Sequence, residues 1–240
     1  MSGLPFRTLA EHVSSLRDAL DDLAGQSLRM EAWAEDLARL FEEGGRLLAA
    51  GNGGSAAAAQ HLTAELVGRF EDPYRRPLSA LALHVETSSL TAMVNDFGGD
   101  EMFARQVEAH GRAGDVLMLL SSSGRSANLL SAAHRAHRLG IRVWALTGPE
   151  PNPLAALAER AICAQAHAGT AVQEVHLVVV HALCAALERR LASRSDLHTL
   201  PRHRPRPGRG RASRRGGIGP LPVVSSPCPR LTSELPPPRI

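Results

Sequence analysis

Four side chains that could bind a divalent metal ion lie on two predicted helices far apart in the chain. His61 and Glu65 are four residues apart, so both side chains lie on one face of a helix, one turn apart. Gln173 and His181 are eight residues apart, a little over two turns, so they share a face if their helix begins by Val172. Imidazole and carboxylate sets suit zinc and similar ions, whereas a glutamine oxygen is a rarer and weaker ligand.

The spacing leaves alternatives open for the histidines. A histidine such as His61 is more often structural than a ligand. His181 lies in the apolar run LVVVHALCAAL, where an unpartnered polar group is costly, and this favours a position facing a site or an interface. His176 is a second candidate on the same helix, and spacing alone does not decide between it and His181.

Two loops rich in glycine and serine could bind an anion. Residues 121–126, SSSGRS, lead from a predicted strand into a helix, whose unpaired N–H groups and dipole favour an anion. The alternative is that Ser126 only caps the helix and the serines form a turn. Residues 51–55, GNGGS, follow another strand and require positive φ values or close approach of a ligand. Together the two loops predict a polar crevice that attracts anions.

The elements that must position these residues alternate between strand and helix. Two helices come first, at 6–23 and 28–43, because their apolar residues recur at steps of three and four. Short apolar strands are then predicted at 46–50, 78–83, 115–120, 141–146 and 160–164. Helices are predicted between and after them at 55–70, 88–94, 102–110, 127–139, 153–158 and 172–191. This alternation indicates a parallel sheet covered on both faces, with ligands beyond the carboxyl ends of the strands.

Composition and hydropathy exclude several classes of protein. Apolar residues make up 44% of the 240 residues, enough for one core. No apolar run reaches the roughly 18 residues needed to span a bilayer, and the N-terminus lacks the apolar centre of a signal peptide. We therefore expect a soluble, cytoplasmic protein without a membrane partner. Cys163, Cys184 and Cys228 form no CxxC spacing, which favours buried or incidental thiols over a metal or redox role.

The last fifth of the chain differs from the rest. Residues 193–240 hold ten of the 16 prolines and ten arginines, against only Asp196 and Glu234. Such a segment cannot bury enough apolar surface to offset the entropy of ordering, so we predict disorder. Contact with nucleic acid through its arginines is the less favoured interpretation. The predicted organisation is an N-terminal helical hairpin (1–45), an α/β domain (46–192) and a tail (193–240).

Five segments together resemble the sedoheptulose-7-phosphate isomerases, or phosphoheptose isomerases, of the sugar isomerase (SIS) domain family. They are GNGGSAAAAQHLTAELVGRF (51–70), VNDFGGDEMFARQVEAHGRAGDVL (94–117), SSSGRSAN (121–128), ALTG (145–148) and VQEVHLVVVH (172–181). The resemblance covers about residues 5–192. It implies a flavodoxin-like three-layer sandwich with a five-stranded parallel sheet, and a homotetramer with active sites shared between subunits. It also implies one zinc ion per subunit.

The resemblance also implies roles for individual residues. The expected zinc ligands are His61, Glu65, Gln173 and His181, of which Glu65 and Gln173 also face the substrate. The expected substrate contacts are Asn52, Gly53, Gly54, Asn95 and Asp96. The expected phosphate-binding residues are Ser121, Ser122, Ser123 and Ser126. Glu65 is the expected base, and His181 the acid that moves the oxygen-bound proton.

The implied reaction converts D-sedoheptulose 7-phosphate to D-glycero-D-manno-heptose 7-phosphate, the first step of ADP- or GDP-heptose biosynthesis. Its enediolate bears negative charge that a divalent metal stabilises. The sequence departs from the family pattern at several positions. Ala58 and Ala59 stand where many relatives carry an aspartate, Ser122 replaces the commoner threonine, and Arg125 replaces a frequent asparagine.

Two non-catalytic classes within the same family are the alternatives. Some relatives bind a replication initiator protein and have lost the metal ligands. A sugar-phosphate sensor would keep the phosphate loop but would need no base. Because Glu65 and His181 are both present, the sequence argues against both classes.

Overall fold

Five short strands form a single parallel sheet. In the computed structural model, which describes residues 8–166 and 168–195, the strands are β1 (Leu47–Gly51), β2 (Ala80–Ala82), β3 (Val116–Ser121), β4 (Arg142–Thr147) and β5 (Arg160–Cys163). They are hydrogen-bonded in the order β2-β1-β3-β4-β5. This is the flavodoxin-like order, so the predicted fold class is confirmed. The second strand has three residues rather than the predicted six.

Helices connect the strands and precede them. They are α1 (Leu9–Ala24), α2 (Ser27–Glu42), α3 (Gly54–Val67), α4 (Thr87–Phe97), α5 (Ala104–His110), α6 (Ala127–Arg138), α7 (Pro153–Leu157) and α8 (Gly169–Ser195), with a 3₁₀ helix at Gly99–Glu101. The last helix begins three residues before its predicted start and continues past residue 193, where the tail was predicted to begin. From residue 196 onward, the predicted disordered tail lies outside the described residues.

The sheet is buried on both faces, which explains the continuous apolar strands. Every residue of β1 and of β3 is buried. On β3, Met118 packs into one core with α2, α3 and α8, whereas Leu119 packs into a second core with α5 and α6. The helices on the first face include α2, where Trp33 stacks on Trp144 of β4 with ring centroids 4.9 Å apart. The fold therefore has three layers, with the sheet between two layers of helices. The loops at the strand ends lie at the edge of the sheet, between the helical layers.

The long helix α8 is the central element of the first layer. Its buried residues include Val175, Val179, Leu183 and Leu187. On length and composition alone it could cross a membrane, but 56% of its most apolar window is buried inside the protein. Packing against the sheet and against α1, α2 and α3 accounts for its apolar character.

Candidate active site

The two loops rich in glycine and serine lie side by side at the carboxyl edge of the sheet. The strands β1 and β3 are neighbours, but α3 follows β1 on one face of the sheet while α6 follows β3 on the other. Ligands of such sheets bind at this switch point. Asn52 and Asn128 join the loops through two amide hydrogen bonds of 3.0 and 2.9 Å. No role was predicted for Asn128, although it lies within the SSSGRSAN motif.

The first loop brings the N-terminus of α3 against α8. Gly53, which precedes the helix, has a φ of +55°, a conformation that glycine adopts at little cost. A Cβ atom at Gly54 would overlap the side-chain amide of Gln173. Both reasons predicted for glycines in this loop, positive φ and close approach, are therefore present. The group that approaches Gly54 belongs to α8.

Three of the four predicted metal ligands, His61, Glu65 and His181, lie together on α3 and α8. The Nε2 atoms of His61 and His181 are 2.9 Å apart, and the rings meet edge to face. The Nε2 atom of His61 is also 3.3 Å from Oε1 of Glu65. Gln173 and His61 line one cavity of about 400 Å³ between the two helices. His61 of α3 thus contacts His181 of α8 and shares a cavity with Gln173, although more than 100 residues separate these partners in the chain.

The donor atoms of this cluster fit a divalent metal ion in type. Bonds of about 2.0–2.1 Å in a tetrahedral zinc site place neighbouring donors about 3.3 Å apart, which is the separation between His61 and Glu65. The 2.9 Å between His61 and His181 is a hydrogen-bond distance, with one imidazole donating to the other. Within the described ranges, no three His, Cys, Asp or Glu side chains converge as metal ligands. His61 is instead the shared member of two pairs.

The competing candidate, His176, has a structural position. It is completely buried, and its Nε2 donates a hydrogen bond of 3.0 Å to the backbone oxygen of Thr147. Burial lowers the pKa of His176 to about 4, which keeps the ring neutral. The side chain therefore fastens α8 to the carboxyl end of β4. Spacing left open whether His176 or His181 lies near His61. In the structure His176 faces the sheet and His181 contacts His61.

The second loop is held by hydrogen bonds between its own serines and backbone. The Oγ of Ser121 accepts the N–H of Gly124 at 3.1 Å, and the Oγ of Ser123 accepts the N–H of Arg125 at 3.2 Å. These bonds curl the loop around the first residues of α6. Ser123 and Arg125 are exposed, while Ser121 is buried. The loop is therefore a turn, as one interpretation predicted, but the role of its last serine differs.

The hydroxyl of Ser126 is not used to cap α6. Ser126 is the N-cap residue, yet its side chain makes no capping hydrogen bond. Its Oγ instead lies 3.5 Å from the Oγ of Ser121. Ser126 thus occupies the N-cap position, as one interpretation predicted, but its hydroxyl does not bind the N–H groups of the helix. Ser122 lies beside Gly169, the first residue of α8, so a second helix N-terminus borders the same loop.

The predicted substrate pair Asn95–Asp96 is placed differently. Both residues are exposed on α4, and Nδ2 of Asn95 donates to Oδ1 of Asp96 at 2.8 Å. Neither lines the cavity between α3 and α8. No residue of α4 is buried, and Val94 and Phe97 expose 43% and 51% of their surface. The structure therefore does not bring this pair to the cavity that His61 and Gln173 line within one chain.

Sequence reasoning missed two ionic contacts near the cluster. Glu174 lines the same cavity, and Nε2 of His12 lies 2.8 and 3.0 Å from its two carboxylate oxygens. Arg75 and Glu188 form a buried ion pair of 2.9 Å beneath the carboxyl end of α3. The partners are separated by 162 and 113 residues, so no local spacing could have indicated them.

The cysteines of the described chain are buried, as predicted. Cys163 lies at the end of β5, where burial raises its pKa, and Cys184 lies on α8. Burial raises the pKa of Cys184 to about 12, and the nearby carboxylate of Glu65 adds to the effect. A thiol with so high a pKa is neither a nucleophile nor a ready ligand. Cys228 lies outside the described residues.

Comparisons with known proteins give a consistent result. The family model described as "SIS domain" matches residues 11–148. A phosphoheptose isomerase of Streptomyces coelicolor is 59% identical over 177 residues, which cover 74% of this chain and 76% of that protein.

Two solved structures are similar to this chain in both fold and sequence. A phosphoheptose isomerase from Francisella tularensis has a TM-score of 0.71 and 32% identity, covering 75% of this chain and 96% of that one. A phosphoheptose isomerase from Neisseria gonorrhoeae has a TM-score of 0.63 and 37% identity, with coverage of 75% and 94%.

Proposed function

Because the chain belongs to the SIS domain family, we propose that it is an aldose–ketose isomerase acting on a phosphorylated heptose. The substrate is D-sedoheptulose 7-phosphate and the product D-glycero-D-manno-heptose 7-phosphate. The observation that carries this proposal is the cluster of His61, Glu65 and His181, in which His61 also lines a cavity with Gln173. The names of the similar proteins supply the substrate class.

The reaction moves a carbonyl group from C2 of the sugar to C1. A proton must leave C1 and return to C2, while a second proton moves from the oxygen on C1 to the oxygen on C2. Glu65 accepts the carbon-bound proton and returns it, and the imidazole of His181 moves the oxygen-bound proton. His61 Nε2 lies against both side chains, so it orients the base and the acid together.

A zinc ion bound by His61, Glu65, Gln173 and His181 would stabilise the negative charge of the enediolate as a Lewis acid. These residues supply two nitrogen and two oxygen donors, as such an ion prefers. Glu65 then has two duties, as ligand and as base. Its carboxylate would have to exchange the role of ligand for that of base during turnover.

The phosphate group fits the loop of residues 121–126. The N-terminus of α6 offers unpaired N–H groups, and the hydroxyl of Ser126 is not occupied by a capping bond. Ser122, beside the start of α8, adds a second hydroxyl donor. The first loop, with Asn52, Gly53 and Gly54, closes the crevice from the neighbouring strand, and Asn52 is already oriented by Asn128.

Further subunits complete the site in this proposal. Asn95 and Asp96 lie on a helix with no buried residue and with exposed apolar side chains, as expected of a surface that another copy covers. We infer a homotetramer in which active sites are shared between subunits. The enzyme would work in the cytoplasm, at the start of nucleotide-activated heptose biosynthesis.

The test is an isomerisation assay on the purified full-length protein. Sedoheptulose 7-phosphate is incubated with the protein and zinc, with and without a chelator, beside fructose 6-phosphate as a control substrate. We expect conversion of the heptulose phosphate, its loss on chelation and its recovery with added zinc. Binding of the sugar phosphate without any conversion would instead favour a non-catalytic sensor.

A further inference from the structure

A buried arginine closes the carboxyl end of α3. The side chain of Arg75 is only 5% exposed. Its guanidinium donates to the backbone oxygens of Glu65 and Leu66, at 2.6 and 2.9 Å, and to Oε1 of Glu188 at 2.9 Å. The last carbonyl groups of a helix have no partner within the helix, so Arg75 satisfies two of them while reaching α8.

The carboxylate of Glu188 is equally engaged. It is 11% exposed and accepts the backbone N–H groups of Phe70, Glu71 and Asp72, at 3.3, 3.1 and 2.9 Å, besides the arginine. These residues form the segment that follows α3. The carboxylate of Glu188 therefore joins the end of α3 and its following segment to α8. Removing either Arg75 or Glu188 would leave the other charge buried without compensation.

This ion pair is connected to the metal cluster on both helices. Arg75 holds the backbone oxygen of Glu65 itself. Glu188 follows His181 by seven residues, two turns along the same face of α8. Phe70, whose N–H binds Glu188, stacks its ring on His181 with centroids 6.0 Å apart.

We propose that Arg75 and Glu188 are positioning residues for the cluster of His61, Glu65 and His181. They touch no reacting atom. They set the distance between the last turn of α3 and α8, and thereby the separation of Glu65 from His181. This inference rests on the proposed metal site, but it concerns how the chain builds that site rather than what the site converts.

A second ion pair on the same helix provides a matched control. Glu31 of α2 binds Arg189 and Arg190 of α8 at 2.7 and 2.8 Å. These side chains are between 36% and 63% exposed, so the pairs contribute little to stability. Among the described residues, the side chains of Arg189 and Arg190 bind carboxylates of α2, so these pairs join α8 to α2 rather than to α3.

The experiment compares Glu188→Gln with Glu31→Gln in the full-length protein. Zinc affinity is measured by competition with a chromophoric chelator, and thermal unfolding is followed by circular dichroism. In Glu188→Gln an NH₂ group replaces one oxygen and faces N–H donors, so the end of α3 shifts. We expect the zinc Kd to rise about tenfold or more, the scale seen when groups that orient metal ligands are lost. Glu31→Gln should leave the zinc Kd within about twofold.

A second variant keeps the proposal testable if Glu188→Gln does not fold. Arg75→Lys keeps the charge beside Glu188 but cannot reach both helix carbonyls at once. We expect a rise in zinc Kd smaller than that of Glu188→Gln but larger than that of Glu31→Gln.

Two outcomes would overturn the inference. One is wild-type zinc affinity in both Arg75→Lys and Glu188→Gln, with only a lower melting temperature, because the pair would then be purely structural. The other is a wild-type protein that binds no zinc. The isomerisation assay does not enter this measurement, so the proposed substrate and the proposed positioning role can fail separately.

Discussion

The helices α3 and α4 each carry residues predicted to act on the substrate, but they are held in the molecule in opposite ways. α3 buries Ala59, Leu62 and Leu66 and packs on both the sheet and α8. α4 buries none of its residues and contacts mainly the 3₁₀ helix that follows it. Its apolar residues Val94 and Phe97 face outward.

On the proposed function, this difference separates the site into two halves. The half formed by α3 and α8 is positioned by packing within one chain, so its side chains already lie within hydrogen-bond distance of each other. The half on α4 packs Leu90 against the second core but leaves Val94 and Phe97 exposed, so we propose that another surface helps to fix its position. On the proposed function, the steps that tolerate little displacement, metal binding and proton transfer, would take place in the rigid half.

The largest expected effect tests the rigid half. Glu65→Gln keeps the shape of the side chain but removes the proposed base, so we expect kcat to fall at least about 10²-fold. Steady-state kinetics on sedoheptulose 7-phosphate measures the change. Glu71→Gln, an exposed carboxylate six residues further along, is the control and should retain activity. Turnover like that of the wild type in Glu65→Gln would assign the base elsewhere.

The next largest effect tests the hydrogen bond from His176 that holds α8 against β4. His176 has a pKa of about 4 when folded and about 6.5 when unfolded, because burial disfavours its charged form. Between these values the unfolded chain binds an additional proton, so stability decreases as the pH falls from about 6.5 towards 4. From pH 7 to pH 5 this amounts to about 2 kcal/mol.

The measurement for His176 is urea unfolding at several pH values in the wild type and in His176→Gln. Glutamine can still donate to the oxygen of Thr147 but does not titrate. We expect the variant to lose about 2 kcal/mol of the pH dependence between pH 7 and pH 5. Identical pH profiles in the two proteins would show that His176 is not the buried neutral group described above.

A smaller effect tests the half on α4. Asn95→Ala should lower kcat/KM about tenfold, the scale of one hydrogen bond to the substrate, while zinc affinity stays unchanged. Thr91→Ala is the control on the same helix, because its hydroxyl bonds only to the helix backbone at Thr87 and Ser88. If Asn95→Ala weakened zinc binding, the two halves would not be independent.

The smallest effect concerns the serine loop. Ser126→Ala should change the free energy of unfolding by less than about 0.5 kcal/mol, because the hydroxyl does not cap α6. Thr8→Ala is the control, since Thr8 caps α1 by accepting the N–H of Glu11, and we expect it to cost about 1 kcal/mol. Equal losses in both variants, measured by chemical unfolding, would mean that Ser126 supports the helix after all.

Much of the fold and of the rigid half could be predicted because the signals are local. The spacing of His61 and Glu65 needs only the period of a helix, and apolar strands that end in glycine or serine loops indicate a parallel sheet with its crevice. Spacing alone could not choose between His176 and His181, because the rotation of α8 relative to the sheet is set by contacts with distant strands, and only the family resemblance favoured His181. The pair Arg75–Glu188 was missed for the same reason.

The close approach of Gly54 to Gln173 has a consequence for how related proteins can diverge. An alanine at this position would place its methyl group where the glutamine amide lies. It would displace the proposed ligand Gln173 without touching the serine loop that we propose binds the phosphate. Glycine and alanine codons differ by one nucleotide. On the proposed assignment, a single mutation could therefore convert an isomerase into a protein that binds the same sugar phosphate without converting it.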